Sequence, residues 1–135
     1  MKKTLISIIS MICVLAAVYY LLEGRLNYLD RSFNTTFRKT RYTVIEHTHY
    51  PGRDFAHKWI IKLNGSNPGE MFDTDNYEDG YSYLAKQYIS HIDSTEFPEN
   101  VKTRVFDHKN TRLADKVIIV YNPETSYYTV YYITI

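Results

Sequence analysis

Apolar and polar positions divide the chain into one long uncharged run and a series of shorter, patterned segments. Thr4 to Leu22 holds 19 residues without a charge, a proline or a glycine. Lys2-Lys3 precede the run and Glu23-Gly24-Arg25 follow it. At ~1.5 Å per residue it matches a hydrocarbon core ~30 Å thick. The expectation is a transmembrane helix over 1–22, with Leu5, Ile8, Ile9, Ile12, Leu15, Val18 and Leu22 in the bilayer. A cleaved signal peptide would close a shorter apolar stretch with small residues. Here Ala16-Ala17 is followed by Val18-Tyr19-Tyr20-Leu21-Leu22, and paired tyrosines suit a membrane interface. The pattern therefore predicts an uncleaved signal anchor. It would cross a bacterial inner membrane once and leave the remaining chain in the periplasm.

Residues 23–40 form a basic juxtamembrane stretch in which Leu26, Leu29, Phe33 and Phe37 recur at helical spacing. Beyond it, residues 41–135 read as one globular domain. Arg41 to Tyr50 is rich in Thr, Val, Ile and Tyr and predicts a strand. Pro51-Gly52 supplies a turn. His57 to Asn64 returns as a second strand, with Trp59, Ile61 and Leu63 on one face. Asp75 followed by Glu78 matches a capping box. Tyr77, Tyr81, Leu84, Tyr88 and Ile92 then repeat at helical spacing, so a helix is predicted from Asp75, or from near Ser82 if Gly80 weakens its first turn. Val101 to Asp107 alternates, and Val117-Ile118-Ile119-Val120-Tyr121 reads as a strand buried on both faces. The chain closes on SYYTVYYITI. Alternation there puts Tyr128, Val130 and Tyr132 on one face and Tyr127, Thr129 and Tyr131 on the other. The fold class is α+β: a transmembrane helix, then a mostly antiparallel sheet in ββαβββ order with one packed helix.

Charge sharpens this picture. Residues 1–40 hold six basic and two acidic side chains, net +4, and residues 41–135 hold ten and thirteen, net −3; together they give +1. A mildly acidic domain does not suit nucleic acid, which selects clustered basic surface. The single cysteine, Cys13, lies in the apolar run, so no disulfide can form within one chain. Tyrosine is abundant, 14 of 135 residues, and serves half-buried sheet faces and interfaces alike.

Two clusters carry candidate chemistry. His47 and His49 share a strand face, and Asp54 and His57 follow across the turn; a hairpin could assemble them as a metal site, although H-x-H is a weak pattern. Asp73, Asp75, Tyr77, Glu78 and Asp79 form an acidic-aromatic stretch. It is not an EF-hand, because Tyr77 and Lys86 stand where ligands are required. Its carboxylates either complement a helix start or meet a basic partner. No nucleophile elbow and no glycine-rich phosphate motif occurs. The expected function is a non-catalytic, membrane-anchored protein-binding module of the bacterial envelope. It needs no cofactor, and its partners are the lipid bilayer and another protein. An immunity or inhibitor protein that neutralises a toxin is the form considered first. The alternatives are a metal-dependent hydrolase built on the histidines and a structural accessory subunit of an envelope complex.

Overall fold

The computed structural model describes residues 1–23, 26–51, 56–65, 69–81 and 83–134, with the side chains of all of these except 19–23 and 84. Its centre is a six-stranded antiparallel sheet in the order β1-β2-β6-β5-β4-β3. The strands are β1 Tyr42–Tyr50, β2 Ala56–Leu63, β3 Glu78–Asp79, β4 Lys102–Asp107, β5 Lys116–Asn122 and β6 Tyr127–Ile133. Helix α1 spans Lys2–Glu23 and α2 spans Tyr83–Ile89. Short 3-10 turns fill Leu26–Arg31, Phe37–Lys39, Glu70–Phe72 and Thr74–Asn76.

The fold is α+β, but two parts of the expected architecture are corrected. The first is the anchor. Among the described residues, no helix is long and apolar enough to cross a membrane. Helix α1 begins at Lys2-Lys3 and ends at Glu23. Leu5, Ile8, Ile9, Ile12, Leu15 and Val18 are exposed on this helix, and the side chain of Leu22 lies outside the described set. The single-pass inner-membrane placement, and the periplasmic side that depended on it, fall with the span.

The second correction is the element order. The helix expected from Asp75 is confined to Tyr83–Ile89, and a sixth strand, β3, occupies Glu78–Asp79. Gly80 is the reason. Its φ of 82° lies in the left-handed region, where a right-handed helix cannot run. Its N–H donates to Val101 O at 2.7 Å and its carbonyl accepts from Thr103 Oγ1 at 2.9 Å. The chain before it is thereby drawn onto β4, with Glu78 opposite Thr103 and Asp79 opposite Lys102. Ser82, the other candidate start, lies outside the described residues.

Both faces of the sheet are covered. Trp59 and Ile61 of β2, Val117 and Ile119 of β5, and Tyr128 and Val130 of β6 point to one side. There they meet Leu26, Leu29, Phe33, Phe37, Met71 and Phe72. The opposite side sets Ile118, Val120, Tyr131 and Ile133 against Ala85 and Ile89 of α2 and Val101. Strand β5 is buried throughout Val117–Val120 because both of its faces are roofed.

The 26–39 stretch can roof a face because Asp30 organises it. One carboxylate oxygen accepts from Thr35 Oγ1 at 2.6 Å and Phe37 N at 3.0 Å, and the other accepts from Arg38 N at 2.8 Å. Lys109 ties the stretch to the sheet, its N–H donating to Ser32 O and its Nζ to Asp30 O.

Candidate functional site

The acidic segment is shaped from beneath by apolar anchors. Met71, Phe72 and Tyr77 are buried, while Asp73, Asp75, Glu78 and Asp79 are exposed. The Phe72 ring meets Tyr128 edge-on at 4.9 Å, and Tyr128 Oη donates to Phe72 O at 3.1 Å. Tyr77 Oη donates to Met71 O at 2.7 Å, and burial pushes its phenol well above the usual range. The structure therefore brings four of the five expected contact residues to one rim and places Tyr77 under it. Asp73 accepts from Asp75 N at 3.1 Å and closes the local turn. Glu78 belongs to β3, so the capping box between Asp75 and Glu78 is not formed. Asp79 lies 3.8 Å from Lys102 Nζ with its own side chain 93% exposed, so water screens the pair. The rim stands at the β3 edge of the sheet, where Glu78 and Asp79 alternate between its two faces.

The histidines assemble at the other edge. A bulge between Val44 and Glu46 inserts Ile45 into β1. That one extra residue reverses the alternation, so His47 and His49 share the face of Val44 and Trp59. His47 stands opposite Trp59, His49 opposite His57, and His57 opposite Tyr132. The rings stack: His47 on Trp59 at 4.9 Å and 3°, His49 on His57 at 4.5 Å and 16°. His47 Nε2 and His57 Nδ1 are 2.9 Å apart, so one donates to the other. Among the described residues no group of three or more His, Cys, Asp or Glu is placed to hold a metal ion. Asp54, the expected fourth ligand, lies outside the described residues.

No family model, curated protein or solved structure matches this chain. The reading of its surface thus rests on its own geometry.

One polar cluster escaped the sequence pattern. Lys58 of β2 points toward α2 and pairs with Asp93 at 2.8 Å, the two side chains only 10% and 9% exposed. Tyr131 Oη donates to the same carboxylate at 2.7 Å, and Thr95 donates through its N–H at 3.0 Å and its hydroxyl at 2.7 Å. Burial pushes the Asp93 carboxyl up, but the hydrogen bonds from Lys58, Thr95 and Tyr131 outweigh it and hold the group at about 2. Burial, and then the bond to Asp93, drives Tyr131 far upward. Both oxygens of the carboxylate are used in this way, so the cluster clamps residues 93–95 to the sheet. The signal that could have found it is Lys58 itself, a lysine between His57 and Trp59 in the half of β2 that pairs with the apolar last strand.

Proposed function

We propose that this chain is a non-catalytic protein-binding module whose contact surface is the rim of Asp73, Asp75, Glu78 and Asp79. The supporting observation is the mounting of these carboxylates. Four of them stand exposed within seven residues on a backbone pinned by buried Met71, Phe72 and Tyr77. A fixed array of like charge steers an oppositely charged partner and loses little entropy on contact. The partner class is a protein with a basic surface. Inhibitor or immunity proteins, which cap a surface of a toxin, are one form of such a module.

The test is triple charge reversal, Asp75→Lys, Glu78→Lys and Asp79→Lys, in quantitative pull-down against the unaltered chain. Recovery of the partner should fall at least tenfold, and the unaltered chain should release it as salt is raised. Equal recovery by both proteins would reject the rim as the contact surface.

A further inference from the structure

A cleft of about 400 Å³ opens on the face roofed by the 26–39 stretch, between that stretch, the Glu70–Phe72 turn and β4. We propose that it binds a small oxyanion-bearing molecule, an organic acid or a phosphate ester. Two cations reach it from separate elements, Lys39 from the Phe37–Lys39 turn and Arg104 from β4. Arg104 is already oriented, because its guanidinium lies over the Phe106 ring, 4.7 Å from the centroid. A guanidinium offers five N–H donors in a rigid fork that matches carboxylate and phosphate oxygens. Among the described residues, that of Arg104 has a single acceptor, the Glu70 carbonyl at 3.5 Å, and no carboxylate partner. Lys39 likewise makes no ion pair with a described residue. Asn34 and Thr36 add a neutral amide and hydroxyl to the wall, and Glu70 is the one acidic side chain that lines it. The cleft is thus net positive within a domain whose residues 41–135 carry −3.

Size points to a molecule rather than a bare ion, since clefts of ~300–1,000 Å³ hold organic ligands. A ligand touching both cations would also bridge the 26–39 stretch to the sheet. Binding should therefore tighten that docking.

The experiment is an NMR titration of the full chain with glycerol phosphate and, separately, with succinate, at ionic strength held constant by sodium chloride. Saturating shifts are expected at the amides of Thr36 and Lys39 and at the Arg104 guanidinium. Arg104→Gln and Lys39→Gln should each raise the midpoint at least tenfold. Saturation by glycerol phosphate alone assigns a phosphate ester, and saturation by succinate alone assigns a carboxylate. Saturation by both assigns the shared oxyanion. Lys39→Gln alters an exposed side chain, so it decides the matter if Arg104→Gln does not fold. The proposal is overturned if neither probe saturates, or if the midpoint is unchanged in the variants.

Discussion

Replacing Asp93 by alanine removes the counterion of Lys58 and the acceptor for Tyr131 and Thr95 in one step. Breaking a buried ion pair from one side costs ~3–5 kcal/mol, because the remaining charge stays buried without compensation. The slight exposure of both side chains, 10% and 9%, places the effect in the lower half, about 3–4 kcal/mol. That is a large share of the ~5–15 kcal/mol available to a domain. Asp93→Asn keeps an acceptor for Thr95 and Tyr131 and removes only the charge. The drop in carboxyl pKa from 3.8 to about 2 converts to about 2 kcal/mol for that charge.

The pH dependence follows from the sign of this shift. The folded carboxyl is the stronger acid, so as pH falls the unfolded chain takes up the proton first. The contribution is complete above the unfolded pKa and is lost between about pH 4 and about pH 2. Urea unfolding followed by the fluorescence of Trp59, the only tryptophan and fully buried, reads each variant. The gap between the unaltered protein and Asp93→Asn should be about 2 kcal/mol at pH 7 and should close toward pH 2. The pair Lys58→Met with Asp93→Ala should recover more than half of the loss from Asp93→Ala alone, since no charge is then stranded. A cost below ~1 kcal/mol for Asp93→Ala, or a gap unchanged by acid, would refute the reasoning.

Other positions give independent checks. Tyr77→Phe deletes the hydroxyl bond to the Met71 carbonyl and should lower stability by about 1 kcal/mol in urea unfolding, with the rim amides shifted in NMR spectra. Gly80→Ala meets nothing within 4 Å of the added Cβ, so its cost is that of the positive φ alone. About 1–2 kcal/mol is expected in thermal unfolding. Long-range nitrogen spectra at neutral pH should show one proton shared between His47 Nε2 and His57 Nδ1; protons fixed on both would contradict their 2.9 Å separation.

The helical spacing of Leu26, Leu29, Phe33 and Phe37 selected four residues that all enter the core, yet Leu26, Leu29 and Phe37 occupy two separate 3-10 turns and Phe33 bridges to His108 between them, so no single helix forms. The interruption comes from the Asp30 carboxylate, which takes hydrogen bonds from Thr35, Phe37 and Arg38 and turns the chain between them. The Asp75 helix start was misleading for a similar reason. A capping-box pattern is local, and it lost to the bonds that Gly80 makes with the distant Val101 carbonyl and Thr103 hydroxyl. The acidic rim was legible as a run of carboxylates. The burial of Tyr77 beneath it was not, because that depends on Tyr128, 51 positions away in the chain.

The sequence alone settles what alternation and composition can settle. The last strand divides into a Tyr128–Val130 face and a Thr129–Tyr131 face, and β5 is apolar enough to lie between two layers. Tertiary structure decides which layers those are. The bulge at Ile45 turns His47 and His49 toward Trp59, and β6 pairs with β2 and β5 at once. The same docking seats Lys58 against Asp93 and opens the Lys39–Arg104 cleft. The physical reason is range. Side-chain period is written by neighbours in the chain, whereas register and burial follow from the free energy of surfaces that meet only after the chain has folded.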